Sequence, residues 1–280
     1  MLPDFIIIGA MKCGTSTLAD QLRAQPGIFV TDPKEPNFFS DDDVFAKGLD
    51  WYRDLFAAAQ PGDLKGEAST HYTKRPTYPA CADRLASALS APKLIYMIRD
   101  PMSRAVSHYI HEWSMGVISE GLDAALDTHP ELISYGCYMQ QLRPYVERYG
   151  AANICVMALE TMQKSPQDCL QTLGNFIGFD GTMEWQSEQS RSNVSSERMR
   201  RFPMQKLLID NAVARGLRRA LVPQSLRDKV KQSRQMHERP EMSPDKVVRL
   251  QEIFAEDYAE LRQVFPDRPD LDVCYPFVTT

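Results

Sequence analysis

Short uninterrupted apolar runs punctuate the first 160 positions of the chain. Residues 5–8 (Phe-Ile-Ile-Ile), 28–30, 94–98 and 154–158 are rich in β-branched and aromatic side chains and are predicted to be strands, with a weaker one at 64–67. Between them, apolar positions recur at helical spacing over 16–24, 50–59, 78–89, 103–113 and 139–149. Strands that are apolar along their whole length need cover on both faces, and the intervening helices supply it. The pattern therefore predicts an α/β fold, with a central, mostly parallel sheet flanked by helices. Such sheets bind ligands beyond the carboxyl ends of their strands.

The last third reads differently. Residues 166–178 form another amphipathic helix that ends at glycine, and a final helix is expected at 243–265. There Ser243, Pro244 and Asp245 make a capping signature. From Glu197 to Arg234 the chain carries eleven Lys/Arg against three Asp/Glu. This basic stretch reads as a solvated helical appendage, or as a surface for an acidic acceptor or for peripheral contact of residues 198–234 with membrane phosphates. We expect one domain over 1–280, with a core at 1–196 and an appendage plus closing helix at 197–280.

Composition narrows the class. The net charge of −5 argues against a nucleic-acid partner. The six cysteines are scattered without a C-x-x-C pair, so neither a disulfide framework nor a metal site is expected. No apolar run approaches the roughly 20 residues that cross a bilayer, and no signal peptide opens the chain. A cytoplasmic protein is the expectation.

The chemistry starts at the end of the first strand, with Gly9-Ala-Met-Lys12-Cys13-Gly14-Thr15-Ser16-Thr17. A glycine-flanked loop between a buried strand and a helix lets successive amides converge on an anion, and the helix adds its dipole. Thr15, Ser16 and Thr17 bring hydroxyl donors to the same point. The glycine spacing equals that of a nucleotide-triphosphate loop, but Thr15 stands where a kinase has lysine, and the lysine lies inside the loop as Lys12. At the end of another strand, Arg99-Asp100-Pro101-Met-Ser-Arg104-Ala-Val-Ser107-His-Tyr109 offers a guanidinium fork and a hydroxyl to a second anion. Arg104 could instead be structural, pairing with Asp100.

The loop Gly-x-x-Lys-x-Gly-Thr-Ser resembles the 5′-phosphosulfate loop of sulfotransferases that use 3′-phosphoadenosine 5′-phosphosulfate (PAPS), in the branch of heparan sulfate and bacterial carbohydrate enzymes. The resemblance implies a three-layer P-loop nucleotide-binding fold with a helical C-terminal appendage. It also implies a donor site at Lys12, Cys13, Gly14, Thr15, Ser16, Thr17, Arg99 and Ser107, and a catalytic role for Lys12. The segment Lys34-Glu35-Pro36-Asn37-Phe38-Phe39 matches the family's Lys-Glu-x-x-Phe-Phe, which carries the catalytic base, here Glu35. Lys65-Gly66-Glu67-Ala68-Ser69-Thr70-His71-Tyr72 is similar to a stretch near the acceptor site, making Glu67, His71 and Tyr72 acceptor-binding candidates together with Phe38 of the preceding motif. Glu67 or His71 could share the proton handling with Glu35. Several relatives have lysine where this chain has Ala68. Arg191 is the candidate from a late loop that closes over the nucleotide. The implied activity is transfer of a sulfuryl group from PAPS, without metal, to a hydroxyl or amine of a sugar or lipid-linked glycan. A P-loop small-molecule kinase and a non-catalytic nucleotide-binding protein are the alternatives.

Overall fold

Five strands form one parallel sheet in the order β2-β3-β1-β4-β5. They are β1 (Phe5–Gly9), β2 (Ile28–Val30), β3 (Leu64–Ala68), β4 (Lys93–Ile98) and β5 (Ile154–Ala158). The computed structural model describes residues 1–187, 236 and 238–278. β1 and β5 are buried along their entire length, as continuous apolar strands between two helical layers must be. In register, Ile6 lies beside Glu67 on one side and Leu94 on the other.

The expected helices are present as α1 (Thr15–Arg23), α3 (Gly48–Asp54), α4 (Cys81–Ala88), α5 (Pro101–Met115), α8 (Tyr138–Tyr149), α10 (Pro166–Ile177) and α11 (Pro244–Val264). α3 stops at Asp54, short of the expected 59. Among the described residues, four further α-helices escaped the periodicity: α2 (Asp42–Phe45), α6 (Leu122–Thr128), α7 (Glu131–Ser134) and α9 (Leu159–Lys164). Each is at most two turns long, too short for an apolar stripe to repeat.

α11 joins the core of the sheet domain. It buries Leu250, Phe254, Tyr258 and Leu261, and the Asp257 carboxylate accepts from the amides of Met139 and Gln140, both at 2.9 Å. A helix 118 residues away thus caps the first turn of α8. Ser243 is the N-cap of α11 as expected, but its side chain makes no capping bond; its amide donates to Asp123 Oδ1 at 3.1 Å. All six cysteines are buried free thiols. The basic stretch 198–234 lies outside the described residues.

β1 and β3 approach closely enough to require glycine at one point. A Cβ on Gly66 would lie 2.2 Å from the ring of the fully buried Phe5. Gly66→Ala is expected to cost about 1–3 kcal/mol through overpacking. Urea denaturation should show a lower midpoint with an unchanged slope.

Candidate functional site

The loops that leave β1, β2, β3 and β4 meet in one cleft of about 1150 Å³. Its walls include Lys12, Gly14, Thr15, Ser16 and Thr17 from the first loop, with Glu35, His71, Arg99 and Ser107 from the other three.

The first loop is held by main-chain bonds. The Ala10 amide donates to Met97 O at 2.8 Å and the Cys13 amide to Ala10 O at 3.3 Å. Gly14 is the N-cap of α1 with φ of 83°, in the left-handed region where glycine is unstrained. A Cβ there would also meet Leu159 Cδ1 at 2.7 Å. No side chain caps α1 and no acidic residue occupies its first turn, so the helix dipole is left to attract an anion. Cys13 contributes backbone only: its side chain is fully buried, with Sγ 3.6 Å from the Tyr138 hydroxyl, and burial pushes the thiol up to about 11.

Opposite the loop stands Glu35. Its amide donates to Ala68 O at 2.9 Å, and its Oε1 accepts from Thr70 Oγ1 at 2.9 Å. Burial alone would raise this carboxyl. The Lys34 ammonium, the Thr70 hydroxyl, Lys74 and His71 together outweigh burial and hold it below its usual range. Three non-glycine residues among those described have positive φ: Lys12 at 69°, Glu35 at 60° and Asn37 at 55°. Two of the three are the proposed charge stabiliser and the proposed base. Backbone held in so sparsely populated a region persists only where its surroundings dictate it.

The Arg99 end is set by Tyr138, whose hydroxyl donates to Arg99 O at 2.7 Å and accepts from the Arg99 amide at 3.2 Å. Asp100 then caps α5, accepting from the Met102 amide at 3.0 Å and Ser103 Oγ at 2.8 Å. Arg104 is structural but not through Asp100. It is fully buried and donates to the Leu132 carbonyl.

Three acceptor candidates do not reach the cleft wall. Phe38 and Tyr72 are buried in an aromatic cluster, Phe38 stacking on Tyr52 at 4.6 Å and Phe39 meeting Tyr72 edge-on at 5.5 Å. Glu67 is fully buried beneath them, accepting from Tyr52 OH at 2.7 Å, Tyr72 OH at 2.9 Å and Ser69 Oγ at 3.0 Å. These residues brace the segment that carries Glu35, since Ser69 Oγ also accepts from the Asn37 amide at 3.2 Å. His71 does line the cleft, stacked on Tyr78 at 4.8 Å, and burial lowers its imidazole. Arg191 lies outside the described residues.

Lys74 and Trp185 reach the cleft without a sequence signal of their own, and Lys34 has one only as part of the Lys-Glu motif, with no role attached. Lys34 precedes Glu35 directly and donates to Ser16 Oγ at 2.8 Å. Lys74 lines the cleft beyond the turn at Thr70–Thr73, its ammonium lowered by burial. Trp185 is brought there by two glutamines of α1 and the turn beyond it. Gln21 exchanges amide bonds with Gln186 at 2.8 and 2.7 Å, and Gln25 does the same with Glu184 at 2.9 Å both ways.

The Glu67 network has a measurable signature. Burial raises Glu67 to about 7 against the three hydroxyl bonds that favour its charged form. A carboxyl raised in the folded state costs stability as pH climbs from its unfolded value of 4.5 to about 7. Glu67→Gln should flatten that loss in pH-dependent denaturation, while lowering stability overall by about 1–3 kcal/mol through the altered hydrogen bonds.

The sequence matches the model of the Sulfotransferase domain family over residues 2–262. Heparan sulfate glucosamine 3-O-sulfotransferase 3B1 of Mus musculus is 30% identical over 186 residues, covering 63% of this chain and 46% of that protein. The membrane-associated sulfotransferase kil1 of Dictyostelium discoideum is 36% identical over 111 residues, 39% of this chain and 22% of its own length. The chain thus spans less than half the length of these curated relatives. Among solved structures, the fold is similar to that of a sulfotransferase from Alicyclobacillus acidocaldarius, with a TM-score of 0.65, 23% identity and coverage of 94% of this chain and 95% of that one. The expectation of a cytoplasmic protein does not stand, because a relative is itself membrane-associated. Among the described residues no helix is long and apolar enough to cross a membrane. With the family model covering nearly the whole chain, the protein belongs to the sulfotransferase family.

Proposed function

We propose that this protein moves a sulfuryl group from PAPS to a hydroxyl or amine of a carbohydrate acceptor. The observation that carries this reading is the meeting of Lys12, Glu35, Arg99 and Ser107 on one cleft, two of them in strained backbone. When bound, PAPS supplies the sulfuryl group, whose bond to the 5′-phosphate breaks as the bond to the acceptor forms. The residues present suit such a donor: an uncapped helix start with hydroxyls for one phosphate, and a guanidinium with Ser107 for the other. Lys12 and the α1 amides stabilise negative charge growing at the 5′-phosphate side. Glu35 takes the acceptor's proton. The heparan sulfate enzymes among the relatives support a glycan as acceptor. The kinase alternative gains nothing, since Thr15 occupies the position of its lysine.

Three measurements test this reading. In calorimetry, 3′-phosphoadenosine 5′-phosphate should bind at least about tenfold more tightly than ADP with Mg²⁺, and Arg99→Ala should remove most of that preference. Equal affinities would overturn the donor assignment. Glu35→Gln should leave nucleotide binding intact and cut turnover by about 10²–10⁴; near-normal turnover would rule Glu35 out as the base. Because Glu35 is held below 4.5, the acidic fall in turnover should lie below that pH, as the base is lost only when its carboxylate takes a proton.

A further inference from the structure

Between the phosphate loop and the Glu35 carboxylate lies a side chain that touches both. Lys34 Nζ is 2.8 Å from Ser16 Oγ, 3.4 Å from Thr15 Oγ1 and 3.5 Å from Glu35 Oε1. An ammonium has hydrogens to give and no lone pair, so Lys34 is the donor in all three contacts. Thr15 and Ser16 must therefore accept at their oxygens. Each hydroxyl keeps its own hydrogen for another acceptor, and both residues line the cleft at the uncapped start of α1. An anion seated in the loop would be within reach of both hydrogens.

The same ammonium distinguishes the two oxygens of Glu35. Oε1 receives Thr70 Oγ1 at 2.9 Å as well as Lys34. No hydrogen bond from a described residue reaches Oε2, which is left for a proton from outside. We propose that Lys34 is a positioning residue that links the two halves of the reaction: it turns the Thr15 and Ser16 hydroxyl hydrogens toward the donor's phosphate and holds Glu35 with Oε2 presented to the acceptor. The second half rests on the reading of Glu35 as the base. Lys34 itself is largely buried, and that burial lowers its ammonium while Glu35 opposes the shift. The titratable groups that face Glu35 are Lys34 from its own segment and Lys74 and His71 from the turn after β3. Lys34 alone among them is within salt-bridge distance of it.

The test uses the full chain with glutamate labelled at its carboxyl carbon, the Glu35 signal being identified by its loss in Glu35→Gln. In Lys34→Met, Glu35 should titrate about one pH unit or more higher than in the wild type, because an adjacent cation has gone. Affinity for 3′-phosphoadenosine 5′-phosphate should fall about tenfold as the loop hydroxyls lose their orientation. Lys34→Arg should restore most of the Glu35 titration, and Lys34→Gln serves if the methionine variant does not fold. An unchanged Glu35 titration or an unchanged nucleotide affinity in the folded variant overturns the linking role. Failure of the base reading shows up separately, as turnover that survives Glu35→Gln while the Lys34 results hold.

Discussion

The parallel pairing of β1 between β3 and β4 is the constraint from which the rest follows. All five strands point the same way, so the loops after them leave from one edge of the sheet. Strand-like hydrogen bonds continue past that edge: Thr31 to Gly66, Ser69 to Ile7, Ala10 to Met97 and Glu35 to Ala68, all between 2.8 and 3.0 Å. The loops are thereby extensions of the ladder. That is how Lys12 and Glu35 can occupy backbone conformations that an isolated loop would abandon.

Two carboxylates near this edge have opposite fates. Glu35, flanked by Lys34, Thr70, Lys74 and His71, is kept charged at the cleft. Glu67, two positions before the Ser69 that braces the same segment, is buried among tyrosines and raised to about 7. The two residues belong to motifs of equal apparent weight. Solvation and neighbouring charge, which no spacing reveals, divide them into a charged carboxylate on the cleft and a buried structural one. The chain's overall acidity is equally uninformative about the cleft, where Lys12, Lys34, Lys74 and Arg99 gather.

The parts legible in the sequence were those with a local signal. β1 and the glycine loop announced themselves because a buried strand, two glycines and a helix start are contiguous. Arg99 was legible as a cation at a strand end, and α5 through Asp100 and Pro101. What failed was anything whose role depends on partners far along the chain. Phe38 and Tyr72 looked like sugar-binding aromatics, yet Tyr52 and Phe39 close over them in the core. The position of Lys34 between the loop and Glu35 exists only once β2 has been placed at the far side of β3 from β1. Gln21 in α1 and Gln25 in the turn beyond it read as ordinary polar positions, while their bonds reach 165 and 159 residues ahead.

The one-sidedness of the sheet also makes the molecule directional for anyone wishing to attach something to it. Every described residue proposed for chemistry leaves from the carboxyl edge. The turns entering β2, β3 and β4, around Gln25–Gly27, Gln60–Asp63 and Ser90–Pro92, lie at the opposite edge. A tag, fluorophore or tether placed at the exposed Gln60 sits at the edge of the sheet remote from the cleft. Immobilisation through that face would leave the cleft turned outward, away from the support.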